Sequence, residues 1–200
     1  MFAIPSKKVA ILFNPRTGSH THHEMLWRNR EILYVPDDPK FPQHVSFEDN
    51  HIHTGFGGLA LMYRNLDMSG YRVFAFYRDP ADRFLSALNY FVKQFPQYNF
   101  HDNMSPRAFY ERDDIFKKQV NIIQSPWDEI QIELFNFHDF VNETIRMFCE
   151  IGITITPDDI PANMVLGKSG RELTDKDRVQ IRKYWHEDYE FFEEREIVFT

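Results

Sequence analysis

Residues 8–21 constrain the fold of this chain most, because they predict a strand, a tight loop and a helix in direct succession. Val9 to Phe13 form a short apolar run, Pro15 to Ser19 form a polar turn, and Met25 and Leu26 give the next segment an apolar helical face. A strand that passes through one turn into a helix is the repeating unit of α/β folds. Because the strand–helix order continues through the first ninety residues, the sequence predicts an α/β fold with a mainly parallel sheet flanked by helices.

The same loop has the composition of an anion site. Loop N–H groups and the positive end of a helix dipole point to one spot, and Arg16 adds a fork of donors that suits phosphate or sulfate oxygens. We therefore predict a phosphorylated or sulfated ligand at this turn. The alternative is that Thr17-Gly18-Ser19 only caps the helix, as small polar residues do in many proteins.

The loop differs from the common nucleotide-binding loops. The Walker pattern needs two glycines and a Lys-Ser/Thr pair, and the dinucleotide fingerprint needs G-x-G-x-x-G. Only Gly18 is present here, and no Lys-Ser/Thr pair follows it. The sequence therefore disfavours an ordinary nucleoside-triphosphate or dinucleotide site.

A second strand-to-helix segment follows at 71–91. Tyr71 to Tyr77 is a β-branched and aromatic run, and Pro80 is placed to begin a helix in its first turn. Arg78 leaves the carboxyl end of this strand, where ligands bind in open α/β sheets. Ser86 lies two turns into the helix, and both side chains are placed to reach one phosphate. The alternative for Ser86 is a small residue in a helix packing seam.

Arg83 lies between these two residues, and we expect it to form an ion pair with Asp79 or Asp82 rather than to bind a ligand.

Together the two segments resemble the sulfotransferases that use 3′-phosphoadenosine 5′-phosphosulfate (PAPS). The first loop of that family has the form Pro-Lys/Arg-Thr/Ser-Gly/Ala-Ser/Thr, and its second motif is Arg-Asp-Pro-x-x-Arg-x-x-Ser followed by Tyr-Phe. The resemblance implies a P-loop-like sulfotransferase fold, a PAPS donor and no metal requirement. It implies that the 5′-phosphosulfate binds at Arg16, Thr17, Gly18, Ser19, His20 and Thr21, and the 3′-phosphate at Arg78 and Ser86.

A third segment, Asn50 to Gly55, is similar to the His-x-His segment of the heparan-sulfate 2-O-sulfotransferase group. The resemblance implies that His53 is the general base and that His51 contacts the acceptor or acts as a secondary base. Neutral imidazole can accept a hydroxyl proton near physiological pH. The alternative is that both are ordinary polar residues on a half-exposed strand.

Several positions depart from the family pattern or extend it. Arg16 stands where lysine is common, and arginine can stabilise an oxyanion but cannot act as an acid. Asn136 follows the strand predicted over 130–135, where relatives carry a Glu. Asn163 and residues 167–171 fall where relatives have a late loop over the nucleotide. A final helix is predicted from Thr174 to Phe192.

The clustered histidines His20, His22 and His23 offer a competing metal site. No Cys pair or H-E-x-x-H pattern accompanies them, so we predict no metal ligands. His20 directly follows Ser19 and is instead a candidate for the phosphosulfate site.

Bulk properties predict one soluble enzyme domain over 1–200. The net charge of −7 argues against nucleic-acid partners and a polybasic membrane patch. Cys149 is the only cysteine, so a reducing compartment is favoured, and no apolar run of ~18 residues is present. We therefore predict a cytoplasmic protein with no signal peptide, acting on a small-molecule or glycan acceptor. The sequence does not indicate the oligomeric state.

Two other functions stay open. A P-loop-like nucleotide kinase predicts magnesium-dependent ATP binding, and a non-catalytic nucleotide-binding protein on the same fold predicts that His53→Ala has no effect on function.

Overall fold

The computed structural model describes residues 2–4, 7–29, 70–112, 118–124, 130, 132–161 and 171–199. Contacts divide the chain into two compact units. Unit 1 comprises Met1–Tyr77 and Ile122–Met164, and unit 2 comprises Arg78–Asn121 and Val165–Thr200. Each unit has its own cluster of buried apolar side chains. The single-domain organisation stays a prediction.

The sheet lies in unit 1. Its strands are Phe2–Ile4 (β1), Val9–Leu12 (β2), Arg72–Tyr77 (β3) and Ile132–Asn136 (β4), in the spatial order β1-β2-β3-β4. β1 is antiparallel to β2, whereas β2, β3 and β4 run parallel, with Leu12 opposite Ala75 and Tyr77 opposite Asn136. The carboxyl ends of the three parallel strands therefore meet at one edge.

The apolar sequences of β2 and β3 are those of strands that are buried in a parallel sheet. Every residue of β2 is buried, and in β3 only Arg72 is exposed. Strands covered on both faces are continuous apolar runs, as is typical of parallel sheets with helices packed on them. The predicted α/β class, with a mainly parallel sheet flanked by helices, is confirmed.

Helices from both units follow and precede the strands. They are Ser19–Arg28 (α1), Pro80–Gln94 (α2), Pro106–Arg112 (α3), Val120–Ile123 (α4), Phe140–Glu150 (α5), Asp175–Tyr184 (α6) and His186–Glu193 (α7), with short 3-10 helices at Pro96–Tyr98, Phe137–Asp139 and Pro157–Asp159.

The core of unit 1 joins α1 and α5 to the sheet. Met25 and Leu26 of α1 and Phe148 of α5 are buried with Phe76 of β3 in one cluster. The spacing of Phe140, Val141, Ile145 and Phe148 in the sequence predicts a core helix over 138–150, and α5 lies within that range. Val141 was expected on its apolar face, but its side chain is 41% exposed, and Met147 is buried instead.

The core of unit 2 is formed by α2, α3, α6 and α7. Phe84 packs against the rings of Phe109 and Trp185, with centroid distances of 5.4 and 6.1 Å. Ser105-Pro106 in the sequence predicts an N-cap and a first helical residue, and α3 does begin there, with Ser105 Oγ accepting the Ala108 N–H at 3.2 Å.

The prediction of one continuous C-terminal helix is wrong. Thr174 does cap it, with its hydroxyl accepting the Asp177 N–H at 3.2 Å. However, α6 ends at Tyr184, Trp185 leaves the helical conformation at φ −110° and ψ 28°, and a new helix follows. No glycine or proline marks this break. The Trp185 side chain is 1% exposed, so tertiary packing overrides the local helical preference.

In the part of the chain that the structure describes, no helix is long and apolar enough to cross a membrane.

Candidate functional site

The loop between β2 and α1 has two residues in the left-handed region. Arg16 has φ 67° and Gly18, the N-cap of α1, has φ 79°. The left-handed region is unfavourable for a residue with a Cβ and is free for glycine. Turns with such residues direct successive N–H groups into a concavity that suits anions. Two left-handed residues in the loop between β2 and α1 give its backbone a feature that anion-binding turns share, and the anion site itself stays a prediction.

Three hydrogen bonds within unit 1 hold this shape. Thr17 donates to the Asn14 carbonyl twice, from its hydroxyl at 2.7 Å and from its N–H at 3.3 Å. The Asn14 side chain in turn donates to the Phe76 carbonyl at 3.1 Å. Asn14 thus extends the pairing of β2 with β3 past the strand end. Thr17 stabilises the turn with its hydroxyl, and Asn14 is a loop residue that the sequence did not single out.

The N-cap residue of α1 brings no capping side chain, whereas the N-cap residue of α2 does. The first helical bond of α1 is donated by the His22 N–H to the Gly18 carbonyl at 3.0 Å. The N–H groups before it have no partner within the helix. Gly18 brings no capping side chain, and the first turn contains no acidic residue. In α2, by contrast, Asp79 accepts from the N–H groups of Ala81 and Asp82.

Aromatic rings pack against the first turn of α1. A Cβ at position 18 would lie 2.7 Å from Phe140 Cζ, so only glycine fits beside this ring. His22 lies between the rings of Phe76 and Phe140, at centroid distances of 4.3 and 5.0 Å. Its Nε2 forms a 3.0 Å hydrogen bond with Thr144 Oγ1. Burial lowers the pKa of His22 to about 3, so the ring is neutral.

The remaining predicted loop residues differ in exposure. Arg16 is half-buried and His20 is exposed, whereas Ser19 and Thr21 are buried. Within the described residues, the Thr21 hydroxyl has no hydrogen-bond partner. A buried hydroxyl without a partner is unfavourable, and an oxygen of a bound anion would supply one.

The neighbouring histidines His22 and His23 contact different side chains. His22 is committed to Thr144, and His23 lies edge-on to Phe13 at 6.0 Å. Within the described ranges, no three His, Cys, Asp or Glu side chains are grouped as metal ligands would be.

The second predicted segment lies in unit 2, directly after β3. Arg78 is half-buried, and burial lowers its pKa while Asp82 and Asp79 oppose that change. Asp79 Oδ1 accepts the Ala81 N–H at 2.6 Å and the Asp82 N–H at 3.1 Å, so Asp79 caps α2. Burial raises the pKa of Asp79, and these two N–H groups oppose the rise. Ser86 is half-buried on α2.

The predicted partner of Arg83 is wrong. Arg83 is fully buried, and its Nη1 lies 4.0 Å from Oδ2 of Asp188 on α7, not beside Asp79 or Asp82. Asp188 is also fully buried, and burial raises its pKa, with Arg83 the strongest opposing influence. An acid among Trp185, Tyr189 and Phe192 on one helical face is the sequence signal that indicates such a buried partner.

The predicted residues are thus distributed over three parts of the chain. Arg16 to Thr21 belong to unit 1, and Arg78 and Ser86 belong to unit 2. His51 and His53 lie outside the described residues, as do Asn163 and residues 167–170 of the late loop.

Arg171, the last residue of the predicted late loop, is described. Its guanidinium donates to the carbonyls of Asp102 and Met104 at 2.9 and 2.6 Å and pairs with Asp177 at 2.9 Å. Arg171 therefore joins the start of α6 to the loop before α3.

No protein-family model matches the chain, and no curated protein matches it. Among solved structures, it is similar to the crystal structure of a sulfotransferase from Alicyclobacillus acidocaldarius, with 12% sequence identity. That alignment covers 96% of this chain and 96% of that chain, with a TM-score of 0.46.

Proposed function

We propose that the chain is a PAPS-dependent sulfotransferase that transfers a sulfuryl group to a hydroxyl of a carbohydrate-like or other small acceptor. The observation that carries the proposal is the composition of the N-terminus of α1. It has a glycine N-cap, no acidic first-turn residue and Arg16 in the preceding turn. Phosphate and sulfate groups bind at such helix ends because N–H donors and the helix dipole both favour negative charge.

In this reaction the S–O bond to the 5′-phosphate breaks while a new S–O bond forms to the acceptor oxygen. The acceptor proton passes to a base, and the products are 3′-phosphoadenosine 5′-phosphate and the sulfated acceptor. The transferred group passes in line between two oxygens, so positioning and electrostatic stabilisation dominate, as in phosphoryl transfer.

The loop residues have two roles in this scheme. The N–H groups of Gly18 and Ser19 and the Arg16 guanidinium stabilise the charge that develops on the departing 5′-phosphate. Thr17, through its bonds to the Asn14 carbonyl, keeps the loop in shape. Removing one preorganised donor of this kind typically lowers the rate by about 10²–10³. The His20 side chain and the Thr21 hydroxyl are secondary ligands of the same group.

His53 is the proposed general base, and His51 the proposed acceptor contact, on the strength of the His-x-His resemblance. General-base catalysis typically contributes about 10²–10⁴ to the rate. We therefore expect His53→Ala to lower kcat by that factor while donor binding stays unchanged. If His53→Ala leaves the rate of sulfuryl transfer unchanged, the assignment of the base is wrong.

Arg78 and Ser86 are the proposed ligands of the 3′-phosphate, which distinguishes PAPS from ATP-like nucleotides. The N-terminus of α2 is already occupied by Asp79, so a phosphate there needs side-chain donors. Arginine offers a planar fork that matches phosphate oxygens, and partial burial strengthens the attraction.

The first test is calorimetric titration with 3′-phosphoadenosine 5′-phosphate, AMP and magnesium-ATP. We expect micromolar binding of the first nucleotide and much weaker binding of the other two, in the presence of EDTA as well as without it. Arg78→Ala should weaken this binding by about 10²-fold. Arg107→Ala is the matched control, because Arg107 is an exposed arginine in the same unit, paired with Glu111.

Each outcome of that titration is informative. Equal affinity for AMP and 3′-phosphoadenosine 5′-phosphate contradicts the PAPS proposal. Preferential, magnesium-dependent binding of ATP favours the kinase. Correct nucleotide binding without turnover on any hydroxyl acceptor favours the non-catalytic alternative.

A further inference from the structure

The side chain of Gln119 pairs with both main-chain polar groups of Arg78. Gln119 Oε1 accepts the Arg78 N–H at 3.0 Å, and Gln119 Nε2 donates to the Arg78 carbonyl at 2.7 Å. Gln119 is completely buried. A primary amide that meets one residue at both its N–H and its carbonyl fixes the plane and the direction of the main chain there.

Gln119 is itself held by a buried charged pair. The next residue, Val120, donates its N–H to Asp188 Oδ1 at 2.9 Å. Asp188 faces Arg83 across 4.0 Å, and both side chains are fully buried. A continuous series of contacts therefore runs from Arg83 on α2 through Asp188 and the start of α4 to the main chain of Arg78. All of its members belong to unit 2.

Core stability alone is a poor explanation for this arrangement. Burying two charges and an amide carries a desolvation penalty that well-packed apolar residues would avoid, and buried ion pairs often gain little over such residues. The arrangement does fix the orientation of the main chain at Arg78, through the two hydrogen bonds of the Gln119 side chain. Arg78 lies between the end of β3 and the start of α2.

Arg78 has a long side chain with a large conformational entropy, so its contribution to binding depends on how the main chain presents it. Its guanidinium is half-buried, which limits the directions available to it. An error in the orientation of the main chain would move the guanidinium away from a bound phosphate.

We propose that Gln119 is a positioning residue for phosphate recognition: it orients the Arg78 main chain so that the guanidinium meets the 3′-phosphate of the donor nucleotide. This inference rests on the proposed function, because it deepens the role given to Arg78. Gln119 does not contact the nucleotide in this proposal and acts only through Arg78.

The test is a double-mutant cycle of Gln119→Met and Arg78→Ala, read by the Kd for 3′-phosphoadenosine 5′-phosphate and for AMP. Methionine keeps the length of the side chain and removes both hydrogen bonds. Gln119→Met should weaken binding of the 3′-phosphorylated nucleotide by about tenfold and binding of AMP by less than about twofold. In the Arg78→Ala background it should have no further effect, because the residue that it positions is gone.

Gln180→Met is the matched control, since the Gln180 side chain also accepts a main-chain N–H in unit 2, that of Arg107 at 3.2 Å. It should leave both dissociation constants unchanged. If Gln119→Met does not fold, Gln119→Leu replaces it, because leucine also removes both hydrogen bonds and has a similar volume. The loss of affinity in this variant should also disappear in the Arg78→Ala background.

The outcomes separate the inference from the proposed function. Wild type that does not distinguish the two nucleotides, or an Arg78→Ala variant that binds like wild type, overturns the function and with it the inference. Wild type that needs Arg78, together with folded Gln119 variants that bind like wild type, overturns the inference alone. An equal loss for both nucleotides, or a loss that persists without Arg78, also overturns it.

Discussion

The ring of Phe140 on α5 occupies the space that a Cβ on Gly18 would need at the N-terminus of α1. This contact ties the backbone of the proposed phosphosulfate loop to a helix that begins more than a hundred residues later in the chain. The shape of the loop therefore depends on the core of unit 1 as well as on its own sequence.

Gly18→Ala should lower the affinity for 3′-phosphoadenosine 5′-phosphate by at least about tenfold and should destabilise the protein. A left-handed residue with a Cβ costs about 1–2 kcal/mol, and the clash with Phe140 adds to it. Titration calorimetry and chemical denaturation measure the two effects.

Gly70→Ala is the control for that variant. Gly70 is also left-handed, at φ 74°, but among the described residues a Cβ there would meet only the flexible side chain of Lys8, with Nζ at 3.4 Å. It should therefore lose stability without losing nucleotide affinity. An equal loss of affinity in both variants would show that Phe140 does not shape the loop.

The stability of the protein should decrease as the pH falls from about 6.5 towards 3, in part because of His22. Burial lowers the folded-state pKa of His22 from 6.5 to about 3, so in this window the unfolded chain binds more protons than the folded one. His22→Gln removes this titration and keeps an amide to pair with Thr144. The free energy of unfolding, measured by denaturation at several pH values, should depend less on pH in this variant.

A His22→Gln profile that runs parallel to that of wild type would mean that His22 titrates normally in the folded protein and would contradict this prediction.

Arg171→Ala should destabilise the protein by about 3 kcal/mol, because it removes a largely buried ion pair and two hydrogen bonds to carbonyls. Arg171→Lys should recover only part of the loss, since one ammonium group cannot replace the planar fork at three acceptors. Arg107→Ala, at an exposed pair, should leave the unfolding midpoint unchanged. Equal midpoints for Arg171→Ala and wild type would refute this role.

Replacing Asp79 with asparagine should leave the protein stable, whereas replacing it with alanine should destabilise the protein. Asparagine caps a helix about as well as aspartate, whereas alanine costs about 1 kcal/mol at an N-cap. Because burial raises the pKa of Asp79, ionisation opposes folding at pH 7, and Asp79→Asn should be at least as stable as wild type there. Thermal unfolding of the two variants checks the order, and an Asn variant less stable than the Ala variant would contradict it.

Removing the charge of Asp79 has a second consequence. Asp79 acts electrostatically on Arg78, so its neutralisation should strengthen phosphate binding there by a few fold at low salt. A loss of nucleotide affinity in Asp79→Asn would argue against Arg78 as the phosphate ligand.

Local chemistry allowed much of the fold to be predicted from the sequence. Three helix starts are set by residues next to them in the sequence, at Asp79-Pro80, Ser105-Pro106 and Thr174. Their side chains accept hydrogen bonds from the first N–H groups of the helix, so these starts can be predicted without knowledge of the rest of the fold. The apolar runs of β2 and β3 likewise predict buried parallel strands.

Long-range partners could not be predicted in this way. Asp188 as the partner of Arg83, Phe140 beside Gly18 and the break at Trp185 all depend on residues that the fold brings together from distant parts of the chain. Gln119 begins a polar stretch of the sequence, and nothing local connects it to Arg78. These positions are decided by packing, which single-sequence patterns do not contain.

The division of the chain between the two units also determines which fragments of the polypeptide can correspond to a unit. The chain crosses from unit 1 to unit 2 after Tyr77, returns after Asn121 and crosses again after Met164. No single cleavage of the polypeptide can therefore release either unit as one continuous fragment. A truncation at residue 164 would retain every segment of unit 1 and remove Asp188, the buried counter-charge of Arg83. Fragment complementation with residues 165–200, rather than isolated domain expression, is the appropriate way to dissect this protein.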